Sequence, residues 1–174
     1  MRPDPLHVSL REITAATVRS VCELSVASSQ ASFVAPTAVS LAQALFTPEA
    51  WYRAVYLLEE PVGFVMLEDE SLRVPPPEAP QVGLWRFMID ARYQGLGIGR
   101  TAMLRVIEHV RAKRRFLSLA SSYVPGLGCP EGFYVGLGFE HTGTVEDGQV
   151  VLSLPLASGV ANPSYMDSPG RDRG

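Results

Sequence analysis

The sequence predicts an α/β (α+β) fold in which a mixed sheet is built around one βαβ unit. Residues 82–90 (VGLWRFMID) are apolar on both faces, as expected of a central strand. A glycine-rich turn, an amphipathic helix over 100–115 and another strand over 116–123 follow, and this order implies parallel pairing. Hairpin patterns over 51–68 and 138–156 require antiparallel pairing, so the sheet must be mixed.

Local patterns predict the elements that precede this unit. Alternating apolar and polar residues over 8–13 predict a short first strand. Thr14 is a suitable N-cap for a helix that is predicted to continue to about Ser28. A second helical region is predicted over 29–48, most clearly in the stretch SLAQALF.

Turn-forming residues predict the loops and the end of the fold. The prolines of SLRVPPPEAPQ predict an exposed loop after the first hairpin. A short helical turn is predicted over 133–137, and Asp147-Gly148 is the predicted turn of the closing hairpin. Residues 157–174 lack periodicity and are predicted to be a disordered tail. We therefore expect a single domain over residues 1–156.

Composition narrows the class of protein. The chain has 174 residues, and a hydrophobic fraction of 47% supplies enough apolar material for one complete core. The formal net charge of −3 argues against a general nucleic-acid binder, which needs a basic face. Cys22 and Cys129 are too few for a disulfide framework, and we see neither a signal peptide nor a membrane-spanning run. A cytoplasmic protein without nucleic-acid or membrane partners is expected.

The stretch RYQGLGIGR, residues 92–100, places glycine at every second position. It joins a predicted strand to the start of a predicted helix. The first N–H groups of a helix have no intrahelical acceptor, and the helix dipole favours an anion there. Because Gly95, Gly97 and Gly99 have no Cβ, a phosphate oxygen can approach these donors, and the spacing predicts a phosphate or pyrophosphate site. The alternative is that the glycines mark only a tight turn.

Two common phosphate-binding motifs fit this segment poorly. A P-loop requires Lys and then Ser or Thr after its last glycine, whereas Arg100-Thr101 follows here with a different glycine spacing. A dinucleotide fingerprint follows the first strand of its fold and has an acidic residue about 20 positions further on. Residues 111–117 are basic or apolar instead. Coenzyme A, which carries its own pyrophosphate, remains as the predicted phosphate carrier.

Two motifs carry a resemblance to a known family. Gln94-x-x-Gly97-x-Gly99 resembles the Q/R-x-x-G-x-G/A signature of the GNAT family of N-acetyltransferases, and FYVGLGFEHTG over 133–143 resembles that family's second motif, F/L-Y-x-x-L-G-F-x-x-x-G. The resemblance covers residues 6–156 and implies the GNAT fold, with a mixed central sheet, a βαβ acetyl-CoA-binding core and helices on both faces. A closer resemblance is to bacterial diamine and spermine/spermidine acetyltransferases, in QASFVAPTAVSLAQALF, PVGFVMLED and LWRFMIDARYQGLGIGR.

The resemblance implies where acetyl-CoA, the expected co-substrate, would bind. The main chain of Phe87, Met88 and Ile89 would pair with the pantetheine arm as a neighbouring strand does. The turn that follows would hold the pyrophosphate, with the implied binding residues Gln94, Gly95, Leu96, Gly97, Ile98, Gly99 and Arg100.

By the same resemblance, Tyr134 matches the family's tyrosine general acid. The implied reaction is direct attack of an amine on the thioester, and an alkyl ammonium with a pKa of about 10 must lose a proton before it can attack. The departing thiolate resembles that of a thiol with a pKa of about 8.5, so a phenol held near it can return a proton. The alternative role for Tyr134 is that of a core aromatic residue whose hydroxyl bonds elsewhere.

The general base is not identified by the resemblance. Some polyamine acetyltransferases carry a glutamate on the strand before the glycine turn, but Trp85 occupies that position here, with Arg86 beside it. Residues 68–70 (EDE) are expected to be a solvated charge run. Leu127 stands where many relatives have an asparagine that touches the coenzyme.

Other chemically capable residues are expected to be structural. The basic cluster over 111–115 is expected to be a solvated helix end that complements the dipole, rather than a partner of the coenzyme's 3′-phosphate. Cys129 has no neighbouring His that would support a nucleophile role. His7, His109 and His141 lack metal-ligand spacing, so no metal site is expected.

The expected activity is N-acetylation of a primary amine on a polyamine-like small molecule. Aminoglycosides, amino acids and protein amines are the alternative acceptors. A polyamine pocket should present carboxylates to ammonium groups, yet no Asp or Glu occurs between Leu24 and Pro48. A non-catalytic regulatory module that binds acetyl-CoA is the second class of function left open. A homodimer is expected from the resemblance alone.

Overall fold

The fold is centred on one seven-stranded mixed sheet. A computed structural model of the chain describes residues 7–156. The strands lie in the order β1-β2-β3-β4-β5-β7-β6. They are β1 (Val8–Arg11), β2 (Ala50–Leu57), β3 (Glu60–Asp69), β4 (Val82–Ile89), β5 (Ser118–Tyr123), β6 (Glu140–Glu146) and β7 (Gln149–Pro155). The helices are α1 (Val18–Cys22), α2 (Thr37–Ala44), α3 (Ile98–Ala112) and α4 (Glu131–Val135).

The predicted βαβ unit consists of β4, α3 and β5. Among the strand pairs of residues 7–156, β4 and β5 form the single parallel pair, and every other neighbouring pair is antiparallel. The parallel pairing is limited to Gly83 opposite Ala120. Beyond this point β4 and β5 separate, so the edge of β4 that faces β5 has no strand partner along its carboxyl-terminal half. The predicted mixed sheet is confirmed, with an opening at its centre.

Helices cover both faces of the sheet, as predicted. Successive side chains of a strand point to opposite faces. Along β3, Phe64 and Met66 pack with α1 and α2, whereas Val65 and Leu67 pack with α3. This two-sided burial explains why the strand is a continuous apolar run. The amphipathic α3 buries one stripe against the sheet, formed by Met103, Val106, Ile107 and Val110.

The two early helices are shorter than predicted. In place of a helix from Thr14, a hydrogen-bonded turn at Thr14 leads into the five residues of α1. The chain then leaves the helical path, because the backbone N–H of Ser25 donates to the buried carboxylate of Asp90 at 3.0 Å. Within the second predicted region, α2 begins only after Pro36, since a residue that precedes proline is disfavoured in helical geometry.

The boundaries of the later elements follow their turn chemistry. The helix α3 begins at Ile98, two residues earlier than predicted, because Gly97 acts as its N-cap in a left-handed conformation (φ +82°). The closing hairpin turns at Asp147-Gly148, with φ values of 48° and 77°, as predicted.

No helix in residues 7–156 is long and apolar enough to cross a membrane. The tail over 157–174 lies outside the described residues, and the single domain over 1–156 stays a prediction.

Candidate functional site

A cleft of about 1260 Å³ opens where β4 and β5 separate. Its walls come from β4, the glycine turn, the first turn of α3, the carboxyl end of β5, the loop before α4, α4 itself, and the segment 30–36 that precedes α2. The opening of the parallel pair therefore creates the cleft, and the βαβ unit supplies most of its lining.

The glycine turn lies at one end of the cleft. Gly95 and Gly97 have φ values of 71° and 82°, which side chains with a Cβ rarely adopt. Gly97 caps α3, so the first N–H groups of that helix have no intrahelical acceptor. Arg100, in the first turn of α3, donates from Nη1 to the Gly136 carbonyl at 2.8 Å and ties this end of the helix to α4.

Two side chains before α3 hold the turn in place. Asp90 is 3% exposed and accepts hydrogen bonds from the backbone N–H groups of Arg92 and Ser25 and from Nε of Arg92. The amide nitrogen of Gln94 donates to the Ile89 carbonyl and to Oε1 of Gln30, both at 2.8 Å. The Gln94 side chain therefore joins the turn to the segment on the opposite wall.

Most residues predicted to bind the coenzyme line this one cleft. Leu96 and Ile98 do not line it, because their side chains pack into the core beside β4, where Ile98 is fully buried. The predicted residues that line the cleft are Phe87, Met88, Ile89, Gln94, Gly95, Gly97, Gly99 and Arg100.

Tyr134 lies in α4 and lines the same cleft. The residue is 7% exposed, and its ring packs edge-on against Phe133 and Phe139 with ring centroids 5.4 and 5.5 Å away. Burial raises the pKa of the Tyr134 phenol, and the nearby Ser121 hydroxyl partly offsets that rise. The phenol is thus held in its protonated form, which is the form that a proton donor requires.

A second tyrosine in the cleft belongs to a network that the sequence did not indicate. Tyr123, at the end of β5, lines the cleft, and its hydroxyl lies 3.3 Å from Nε2 of His141. The same nitrogen lies 2.9 Å from Oε1 of Glu131. Burial and the Glu131 carboxylate raise the pKa of Tyr123. The three residues lie on β5, β6 and α4, so no spacing along the chain could have shown that they meet.

Trp85, the position that the family resemblance associates with a strand glutamate in some polyamine acetyltransferases, is part of a β-bulge. Met66 pairs with Arg86 and Leu67 pairs with Leu84, which makes Trp85 the additional residue of β4. Both Trp85 and Arg86 line the cleft. At this position the strand therefore presents an aromatic ring and a guanidinium to the cleft, and no carboxylate.

The acidic run over 68–70 is only partly a solvated surface. Glu68 is exposed and lines the cleft. Asp69 is 1% exposed and forms an ion pair with Lys113 at the end of α3, so the expectation of a solvated residue is wrong there. Alternation along β3 explains the difference, because neighbouring residues of a strand point to opposite faces.

The remaining candidate residues either lie outside the cleft or have no neighbouring group that would give them a chemical role. Residues 111–115 do not line the cleft, which meets the opposite end of the 15-residue α3, about 20 Å away. Leu127 is fully exposed and also lies outside its lining. Cys129 lines the cleft as a free thiol. The described part of the chain contains no group of three or more His, Cys, Asp or Glu that could hold a metal ion.

The described residues thus form an α/β domain in which a mixed sheet opens at its parallel pair, next to a glycine turn that caps a helix. Residues 19–125 match the Acetyltransferase (GNAT) family. The match spans more than half of the chain, and the protein therefore belongs to that family. The predicted enzyme class, an acetyl-CoA-dependent acyltransferase, is confirmed by this membership.

Known proteins resemble the chain over most of its length. The spermine/spermidine N(1)-acetyltransferase of Bacillus subtilis is 27% identical over 158 residues, which are 87% of this chain and 100% of that protein. The crystal structure of the ribosomal-protein-S18-alanine N-acetyltransferase of Escherichia coli superposes with a TM-score of 0.65 at 14% identity, covering 91% of this chain and 99% of that one. The PaiA N-acetyltransferase of Thermoplasma acidophilum in complex with coenzyme A gives a TM-score of 0.61 at 13% identity, covering 85% and 98%. At these identities, the two structures support the fold alone.

Proposed function

We propose that the protein transfers the acetyl group of acetyl-CoA to a primary amine of a small molecule, by direct attack of the amine on the thioester. The observation that carries the proposal is the partnerless edge of β4, which leads directly into the glycine turn while Tyr134 lines the same cleft. One extended ligand can thus pair with a strand, place its phosphates at a helix start and bring its thioester near a phenol.

The coenzyme's pantetheine arm would add to β4 as a further strand along Phe87, Met88 and Ile89. Extended ligands bind to free sheet edges through main-chain hydrogen bonds. The pyrophosphate would then meet the N–H groups that begin α3, where the helix dipole favours an anion. Arg100, which is exposed at that helix start, supplies a positive charge next to the same donors.

The acyl transfer proceeds in one step from a neutral amine. Its nitrogen lone pair attacks the thioester carbonyl carbon, the new C–N bond forms and the C–S bond breaks. The thiolate that leaves takes a proton from the phenol of Tyr134, which its raised pKa keeps protonated at neutral pH. The nitrogen loses one proton and the Tyr134 phenolate regains one from solvent, so the products are the amide and free coenzyme A and the phenol is restored.

The proton lost by the amine has a candidate acceptor beside the cleft. His141 contacts the cleft-lining Tyr123 and lies within hydrogen-bond distance of Glu131, so two partners orient its imidazole ring. We propose that the proton leaves through this network. Replacing His141 with Gln should lower kcat and leave the Kd for acetyl-CoA unchanged, and an unchanged kcat would contradict this route.

Tyr134→Phe tests the central proposal. The change removes one hydroxyl and keeps the ring contacts with Phe133 and Phe139. We expect kcat to fall by about 10²- to 10⁴-fold, as for other general acids, with an unchanged Kd for acetyl-CoA. Tyr56→Phe is the matched control, because Tyr56 is similarly buried (6% exposed) but lies outside the cleft.

Two outcomes would count against the proposal. Unchanged kcat in Tyr134→Phe would remove the phenol from the reaction. Tight acetyl-CoA binding by the wild-type protein without release of free thiol, whatever the amine, would favour the non-catalytic module instead. The predicted homodimer and the predicted cytoplasmic location stay predictions.

The polyamine acceptor predicted from the sequence is the first acceptor to test. It is supported by the name of the Bacillus subtilis relative. Its physical requirement is carboxylates that face ammonium groups, and Glu68 is the single carboxylate in the described lining of the cleft. Free-thiol release should be measured with spermine, spermidine, short diamines, an aminoglycoside and a lysine peptide, each against a blank without acceptor.

A further inference from the structure

Arg86 places a half-buried positive charge in the wall of the cleft. Its Nη1 donates to the Trp85 carbonyl at 2.9 Å, and its guanidinium carbon lies 5.5 Å from the centroid of the Trp85 ring. Its Nε is buried and has no hydrogen-bond partner in the described residues. Nη2 of Arg86 also forms no hydrogen bond with any of the described residues, so most N–H donors of the guanidinium are unused.

The Arg86 charge has no counter-charge among residues 7–156. Burial lowers the pKa of Arg86, and no carboxylate among the described residues raises that pKa in compensation. Other arginines on the described surface that lack an ion pair are exposed to water, unlike Arg86. The ion-paired arginines are Arg11 with Glu59, Arg53 with Glu12, Arg73 with Glu49, Arg92 with Asp90 and Arg105 with Glu108.

A desolvated charge without a partner costs free energy, so proteins normally pair such groups. The wall formed by residues 30–36 cannot supply a partner, because no charged residue occurs anywhere over 25–48. Glu68 pairs along the sheet with Gly83, on the far side of the bulge from Arg86, and forms no ion pair. A bound ligand remains as the source of negative charge.

The phosphates of the coenzyme are poorly placed to be that source. Arg86 precedes Ile89 by three residues, which is about 10 Å along the strand, and the glycine turn begins only beyond the end of β4. Arg86 also pairs with Met66, which packs with α1 and α2, whereas the phosphate donors belong to α3 on the opposite face. Arg86 therefore lies on the face of the sheet opposite α3, away from the proposed phosphate donors, and the acceptor is the remaining ligand that could reach it.

We propose that Arg86 binds a carboxylate carried by the acceptor, so that the substrate is a primary amine of amino-acid type rather than a polyamine. The inference rests on the proposed acetyl transfer, and it specifies the acceptor of that same site. A guanidinium offers two parallel N–H donors that match the two oxygens of a carboxylate, and such paired bonds are among the strongest in proteins. The unpartnered Nε and Nη2 are the donors for this contact.

Matched substrate pairs test the proposal directly. Lysine and cadaverine differ only in the carboxylate, as do ornithine and putrescine. We expect kcat/KM to favour the carboxylated member of each pair by about 10- to 100-fold, the usual range for a hydrogen-bonded charged group. Arg86→Gln should raise KM for lysine and ornithine by a similar factor and leave KM for the diamines and Kd for acetyl-CoA unchanged. Arg86→Lys, which keeps the charge, should recover part of the loss.

Two controls separate this role from a structural one. Arg105→Gln removes an exposed arginine on α3 and should leave every constant unchanged. The Tm of Arg86→Gln should equal or exceed that of the wild type, because the substitution removes an unpaired, half-buried charge. Preference for the diamines, or an equal loss for both members of a pair in Arg86→Gln, would overturn the proposal.

A binding measurement keeps the inference independent of turnover. Calorimetric titration of lysine and cadaverine into the protein with coenzyme A present should show tighter binding of lysine, and Arg86→Gln should abolish the difference. If this difference appears while no acceptor gives free thiol, then the acetyl transfer fails and the carboxylate site stands. If amines are acetylated but lysine and cadaverine bind equally, only the carboxylate site fails.

Discussion

A methyl group at Gly63 should displace the strand that lines the cleft. Gly63 lies in β3, directly opposite Ile89 of β4. A Cβ at this position would lie 2.5 Å from the Met88 carbonyl oxygen, 2.7 Å from Cδ1 of Ile89 and 3.3 Å from Cβ of Val55. The alanine methyl would therefore be compressed between β4 and β2, and β3 is hydrogen-bonded to both of these strands.

The expected cost follows from these distances. Ordinary contact requires about 3.5–4 Å, so β4 must move by about 1 Å. Adding a methyl group to a packed core costs about 1–3 kcal/mol, and backbone atoms yield less readily than side chains. We expect Gly63→Ala to lose about 3 kcal/mol, which corresponds to a decrease in Tm of about 6–12 °C for a domain of this length. Affinity for acetyl-CoA should fall as well, because Met88 and Ile89 are displaced.

Thermal unfolding and calorimetric titration with acetyl-CoA measure both effects. Gly83→Ala is the matched control, since Gly83 is also a strand glycine but an added Cβ there has no atom within 4 Å. Its Tm should change by no more than about 2 °C. If Gly63→Ala kept the Tm and the coenzyme affinity of the wild type, the reasoning from close approach of the two strands would be refuted.

Three further predictions concern charged groups. Lys113→Met leaves the buried Asp69 carboxylate without its ion-pair partner and should cost about 3 kcal/mol in urea denaturation, much of it recovered when Asp69→Asn is added. Burial lowers the pKa of His109, so the folded state binds a proton less readily than the unfolded state. The free energy of unfolding should therefore fall as the pH drops below about 6.5. His109→Phe keeps the stacking on Trp51 and should flatten that dependence between about pH 8 and pH 5.5. Burial alone would raise the pKa of Asp90, but the hydrogen bonds that it accepts lower the pKa overall. Its contribution to the free energy of unfolding should therefore be present above a pH of about 4 and lost below it. Asp90→Ala should abolish this acid dependence and weaken acetyl-CoA binding.

The parts of the fold that the sequence predicted well are those governed by neighbours along the chain. Asp147-Gly148 specifies a tight hairpin, because both residues tolerate positive φ. The glycines at 95 and 97 mark a turn into a helix, and the apolar run over 82–90 marks the central strand. Periodicity and turn chemistry act over a few residues, so one sequence is enough to show them.

The early helices show where local pattern was insufficient. The apolar spacing after Thr14 is typical of a longer helix than α1, but the hydrogen bond from Ser25 to Asp90 redirects the chain across 65 positions of sequence. A contact over that distance cannot be read from periodicity. It also anchors the glycine turn, so the same bond shortens a helix and helps to shape the site.

By itself the sequence determined the family, the strand that leads into the glycine turn and the tyrosine of the second motif. Only the tertiary structure decided which charges have partners. Asp69 looked solvated but is buried against Lys113, and Arg86 looked unremarkable but has no counter-charge among the described residues. The physical reason is that the free energy of a charge depends on everything packed around it, and those surroundings come together only when distant segments of the chain meet.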